Sequence, residues 1–159
     1  MKNKKLTHTD ATGNPSMVDV SEKSVTRRTA RALAIVRVGR EILSMIEDEE
    51  LRTKKGPVFQ TAILAGIMGS KKTAELIPLC HPLGLEDCRV EIAIEDEDVV
   101  ITSKATLSGR TGVEMEALTA VTIAALTIYD MCKAMSHHII IREIRLLEKT
   151  GGKKDFKSE

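Results

Sequence analysis

The spacing of apolar positions along this chain changes period several times, and each change marks an element. From Cys88 to Glu95 apolar and polar residues alternate, with Val90, Ile92 and Ile94 on one face and Arg89, Glu91 and Glu95 in or near the other. The acidic turn Asp96–Asp98 leads into a second alternating run, Val99–Leu107. Two period-two runs joined by a short polar turn predict a β-hairpin. Val25–Val38, rich in Arg, Thr and Val with small residues at Ala30, Ala32 and Ala34, predicts a half-buried strand, and Ile139–Leu147 predicts a closing one.

Between these runs the spacing becomes helical. In Arg40–Leu51 the residues Ile42, Met45, Ile46 and Glu49 recur at helical intervals, which predicts a helix there. Lys54, Lys55, Gly56 and Pro57 form a basic turn, with Pro57 placed as a tolerated first helical residue. A second helix follows over Val58–Ile77 and stops at Pro78. The longest helix is expected from Thr111 to about Met135, and Thr111-Gly-Val-Glu114 has the spacing of a capping box. Roughly four strands and three helices with a central hairpin give an α+β domain, helices packed on a mainly antiparallel sheet. Residues 1–20, polar and carrying Gly13, Asn14 and Pro15, read as a flexible arm, and 151–159 as a loose tail, leaving a single domain over 21–150.

Composition narrows the function. The 159 residues carry 24 basic and 23 acidic side chains, a net charge of +1, which argues against a dedicated nucleic-acid or membrane-surface protein. Phe59, Tyr129 and Phe156 are the only aromatics, too few for a base-stacking platform. The uncharged run Ala117–Tyr129 falls short of the roughly 20 residues of a membrane helix. Met1–Asp10 is polar throughout and does not read as a signal peptide, so a soluble, cytoplasmic protein is expected. Cys80, Cys88 and Cys132 are odd in number and form no CxxC pair, which fits neither a disulfide framework nor a zinc site.

Three places could carry chemistry. Leu79-Cys80-His81-Pro82 puts a histidine in a Pro-bounded loop after a helix, where it serves either a structural turn or a ligand; Cys80 has no evident base to activate it. Lys54 and Lys55 precede a helix start, and helix N–H groups with lysines make an anion site, set against the alternative of solvated loop lysines. The long helix carries Glu114, Met115 and Glu116 at one end and Asp130 and Lys133 at the other. Glu114 is accounted for by the capping box, whereas a carboxylate near a helix C-terminus opposes the dipole, which singles out Asp130. Lys133, three residues on, shares its face as a surface pair or as a proton-trading partner whose pKa desolvation moves toward neutrality. Glu116 and Asp130 are about 21 Å apart along such a helix at 1.5 Å per residue, so one small substrate cannot touch both in one chain. If both ends act, the site is shared between subunits of an oligomer.

The motifs LIPLCHPL (Leu76–Leu83), TGVEMEALTA (Thr111–Ala120) and ALTIYDMCKA (Ala125–Ala134), with the turn Lys55-Gly56 before them and RLLEKTGGK (Arg145–Lys153) after, closely resemble the molybdenum cofactor biosynthesis protein C family, the cyclic pyranopterin monophosphate synthases. The resemblance runs from about Met17 onward. It implies a ferredoxin-like fold, a homo-hexamer built as a trimer of dimers, and sites at subunit interfaces. It also implies a nucleotide-derived substrate, (8S)-3',8-cyclo-7,8-dihydroguanosine 5'-triphosphate, converted to cyclic pyranopterin monophosphate and pyrophosphate. Carried over by motif, Asp130, Lys133 and Lys55 are the implied catalytic residues. Leu79, Cys80, His81, Glu114, Met115, Glu116 and Lys149 are the implied substrate contacts. No protein-bound cofactor is implied, although Mg²⁺ could assist pyrophosphate departure. Ile63 stands where the family pattern commonly has Arg, and the tail reads GGKKDF where a small residue and Gly more often precede Asp-Phe. Two other readings compete: a non-catalytic nucleotide-binding regulatory domain, which gains nothing from Asp130, and an RNA-binding α+β domain, which would need exposed sheet aromatics.

Overall fold

The structure, a computed structural model, describes residues 12–159. Residues 1–11, about half of the arm expected over 1–20, lie outside the described residues.

Four strands carry the fold: β1 (Thr26–Arg37), and further along the chain Asp87–Glu95, Asp98–Gly109 and Ile140–Thr150. Numbered in chain order after three short strands, β2 (Ile46–Glu47), β3 (Glu50–Thr53) and β4 (Gly56–Pro57), these are β5, β6 and β7. Phe156–Lys157 adds a short β8. The main sheet runs β5-β6-β1-β7-β8, every neighbouring pair antiparallel. The helices are α1 (Arg40–Leu43), α2 (Val58–Ser70), α3 (Thr73–Leu76) and α4 (Glu114–Cys132). The unit β1-α2-β5-β6-α4-β7 with spatial order β7-β1-β6-β5 is the ferredoxin-like arrangement.

The core lies between one face of the sheet and the two long helices. Ala30, Ala32, Ala34 and Val36 of β1 are fully buried on that face, against the Ala117, Ala120, Val121, Ala124, Ala125 and Ile128 stripe of α4. Small residues on both sides bring the helix close to the sheet, and Ser103 of β6 donates to the Ala117 carbonyl at 2.8 Å. Helix α2 packs on α4 through Gly66, where a Cβ would sit 2.8 Å from the Ala120 carbonyl oxygen. By length and composition α4 would reach across a membrane, but it is the core helix of this domain, with Ala117 through Cys132 contributing most of its buried face.

The structure departs from the expected elements in four places. The helix expected over Arg40–Leu51 is a single turn, α1, followed by a hairpin: Ile46 pairs with Leu51 and Glu47 with Glu50 around Asp48 (φ 49°) and Glu49 (φ 61°). Those two positive angles make the tight turn that matches strand twist, a turn usually announced by Gly or Asn. The helix expected over Val58–Ile77 breaks at Lys71-Lys72 into α2 and α3. The capping box is not formed: Val113 stands at the N-cap without a side-chain hydrogen bond, and Glu114 turns elsewhere. In the tail expected to be loose, Phe156 and Lys157 pair with Lys149 and Glu148 of β7.

Candidate active site

Asp130 projects from the last turn of α4, half exposed, between two ammonium groups. Lys133, one turn on, reaches its Oδ1 at 2.7 Å, and Lys55, from the β3–β4 turn, reaches its Oδ2 at 2.6 Å. The Lys55 ammonium also donates to the Asp130 backbone carbonyl at 3.0 Å, so it satisfies one of the orphan acceptors at the helix end. Two cations at a helix C-terminus answer the dipole that a lone carboxylate would oppose. Hydrogen bonds from Lys133 and then Lys55 hold the Asp130 carboxyl down at about 2. The same contact pushes the Lys133 ammonium above its ordinary value. The expectation that desolvation moves this pair toward neutrality is therefore reversed: both groups are well exposed, and direct pairing favours their charged forms.

The other end of α4 holds a second cluster. Leu79, Cys80 and His81, in the loop after α3, face Met115 and Glu116 across a hollow of about 320 Å³ that also touches Thr111, Gly112 and Glu114. His81 Nε2 lies 2.8 Å from the Val18 carbonyl. A carbonyl only accepts, so this contact places the proton on Nε2 and ties the arm to the loop. Glu116 is 4% exposed, and burial, followed by the nearby Glu114 charge, pushes its carboxyl up. Burial and the Glu116 charge push the Cys80 thiol up as well, which keeps it protonated and unsuited to nucleophilic attack.

Glu114 forms the wall between this hollow and a smaller one of about 190 Å³ lined by Arg28, Lys149, Gly152 and Lys153. Lys149 donates to Glu114 Oε1 at 2.8 Å. Gly112 leaves room beside it for the Glu114 carboxylate, which a side chain at 112 would push to another position. Sequence reasoning missed Arg28, which enters from β1; its only signal was a charge in the Arg-rich start of a strand.

The chain thus brings Lys55, Asp130 and Lys133 together at one end of α4. Leu79, Cys80, His81, Met115 and Glu116 gather at the other, with Glu114 and Lys149 beside them. It does not bring the two groups together. Nor do Lys54 and Lys55 form an anion site with the start of α2. The Glu50 carboxylate already occupies that helix end, accepting from Phe59 N at 2.8 Å and Gln60 N at 3.1 Å. Ile63, in the place of the expected Arg, packs against the core. Among the described residues no three His, Cys, Asp or Glu side chains gather as a metal-ligand cluster.

The chain is 52% identical over 156 residues to "Molybdenum cofactor biosynthesis protein 1" of Drosophila melanogaster, an alignment that covers 97% of this chain and 27% of that protein. The chain therefore spans about a quarter of the relative's length. The profile of the MoaC family matches residues 17–152, which takes in both ends of α4, the His81 loop and the Lys55 turn, and the chain belongs to the MoaC family.

Proposed function

We propose that this chain is a cyclic pyranopterin monophosphate synthase of molybdenum cofactor biosynthesis, a phosphorus–oxygen lyase. It converts (8S)-3',8-cyclo-7,8-dihydroguanosine 5'-triphosphate to cyclic pyranopterin monophosphate and pyrophosphate. Family membership and the name of the Drosophila relative support the role in molybdenum cofactor biosynthesis. The observation that carries the reaction is the Lys55–Asp130–Lys133 clamp, a carboxylate with an ammonium on each oxygen.

The clamp suits proton transfer triggered by a polyanion. While both lysines hold it, Asp130 is a very weak base. A triphosphate competes for the same ammonium groups, and each one withdrawn raises the carboxyl toward the range where it can take a proton. Purine opening and pterin closure need such transfers at ring nitrogens and carbons. In the final step a sugar hydroxyl attacks the α-phosphorus, its proton leaves to a base, and the bond to the departing pyrophosphate breaks. Lysines facing the phosphates stabilise the charge that accumulates on the oxygens.

The protein works as a homo-hexamer, a trimer of dimers, with the clamp of one copy completing the His81–Met115 hollow of another. The hexamer rests on the resemblance to the family, and distance supports the sharing of a site: Glu116 and Asp130, at opposite ends of α4, are about 21 Å apart at 1.5 Å per residue. The deciding assay incubates the purified protein with the cyclic dihydro-GTP substrate and quantifies pyrophosphate together with the oxidised, fluorescent pterin. Equal amounts of both support the reading. Binding without either product would make the chain a nucleotide-binding domain, and an active monomer on sedimentation would remove the shared site.

A further inference from the structure

Glu50 opens β3 and is 6% exposed, a buried carboxylate outside both clusters. Its Oε1 accepts from Leu51 N at 2.9 Å and Phe59 N at 2.8 Å, and its Oε2 accepts from Gln60 N at 3.1 Å. Three N–H donors, two of them at a helix N-terminus, offset the cost of burying the charge. Pro57, at the N-cap of α2, has no side-chain acceptor to offer. The cap therefore comes from the neighbouring strand, and it joins two elements instead of finishing one.

What it joins matters for Lys55. Strands β3 and β4 pair only through Arg52–Pro57 and Thr53–Gly56, and so small a hairpin does not hold its own geometry. Lys55 sits at its tip, with its backbone N–H on Thr53 Oγ1 at 3.1 Å. Beyond the tip, α2 is locked to α4 at Gly66 and Ala120, and α4 ends at Asp130. Gly56 and Pro57 join Lys55 to the start of α2 along the chain, and the Glu50 carboxylate fastens β3, the other arm of the hairpin, to the same helix start.

We propose that Glu50 is a positioning residue: its buried carboxylate anchors the β3–β4 hairpin to the start of α2 and so delivers the Lys55 ammonium to Asp130. The inference rests on the reading of Lys55 and Asp130 as parts of the working site, but its test does not need turnover. Acylation of surface lysines by an N-hydroxysuccinimide ester, read by mass spectrometry, reports how well each amine is protected. Asp130→Asn sets the rate for a Lys55 that has lost its ion pair and keeps only neutral acceptors such as the residue 130 carbonyl, and Lys54 is the internal reference. Glu50→Gln, nearly isosteric but uncharged, should raise Lys55 acylation several-fold toward the Asp130→Asn rate and leave Lys54 unchanged. Glu50→Ala should raise it further. In turnover, Glu50→Gln should lower kcat more than it raises KM, and should cost nothing more on a Lys55→Ala background.

Folded Glu50→Gln protein with wild-type Lys55 acylation would overturn the proposal and leave Glu50 as a plain helix cap. Additive losses in the double variant would overturn it equally. If Glu50→Ala does not fold, Glu50→Gln decides alone. If Lys55→Ala leaves turnover intact, the catalytic reading falls, and the acylation rates still decide where Glu50 holds Lys55.

Discussion

Lys55 and Asp130, 75 residues apart in the chain, meet at 2.6 Å where the β3–β4 turn touches the end of α4. Lys133 closes the other side of the carboxylate at 2.7 Å. Asp130→Asn removes the charge and keeps the shape. Because the pair is exposed, folding and assembly should survive, as exposed ion pairs add little to stability. Turnover should fall by about 10²- to 10⁴-fold, the range for loss of a general acid–base group. Pyrophosphate release beside sedimentation checks it, and most of the wild-type rate surviving would take Asp130 out of proton transfer.

The depressed Asp130 carboxyl gives a pH prediction with a definite sign. Its folded value, about 2, lies below the ordinary 3.8, so the pair's contribution is present above 3.8 and is lost as pH falls through about 2. The Asp130 carboxyl ¹³C resonance should titrate near 2 in the wild type. Lys133→Ala should move the midpoint up, and Lys55→Ala should move it up by less, because the Lys133 bond is the larger cause. A wild-type midpoint at 3.8 would mean that the clamp is open in solution.

Glu116 behaves in the opposite way. Burial raises its carboxyl above the ordinary 4.5, so the folded chain keeps a proton that the unfolded chain has lost. Its contribution favours folding below 4.5 and is lost as pH climbs through the raised value. Glu116→Gln should flatten this part of the stability curve and gain on the wild type toward neutral pH. Urea unfolding of both proteins between about pH 4 and 8 measures the difference. Parallel curves would show that Glu116 is solvated.

Where one periodicity held long enough, the sequence could be read directly. The β5–β6 hairpin, β1, β7 and α4 follow from alternation or from a sustained apolar stripe. The hairpin from Ile46 to Pro57 was hidden because Glu47-Asp48-Glu49-Glu50 has helical composition and no Gly at its turn. Asp130 was legible as a carboxylate at the wrong end of a helix. Its meeting with Lys55 was not, since nothing local relates residues that only tertiary packing brings together. Glu50 was hidden for the same reason, as one acid in an acidic run whose partners lie on the next helix.

The hairpin turn itself can be tested. Glu49 has φ 61° and Asp48 φ 49°, a left-handed conformation that costs an L-residue about 1–2 kcal/mol. Glycine adopts it freely, so Glu49→Gly should stabilise the fold by about 0.5–1 kcal/mol once glycine's greater freedom in the unfolded chain is deducted. Denaturant midpoints check it. A loss of stability of that size would place Glu49 outside the left-handed region in solution.

The separation of the two clusters along α4 leads to the most demanding test. Asp130→Asn disables one end of the helix, and His81→Ala disables the other. Each variant alone should be nearly inactive. If every site takes Asp130 from one copy and His81 from another, a hybrid oligomer holds some sites built from the intact half of each. Random assembly from equal amounts of the two chains should restore about a quarter of the wild-type sites, because each of two positions must be filled by the right variant. Sites confined to one chain would restore none. Co-expression, tandem-tag purification of the hybrids and a pyrophosphate assay separate the two outcomes. Mixing without subunit exchange is the control, since unexchanged variants should stay inactive whichever arrangement holds.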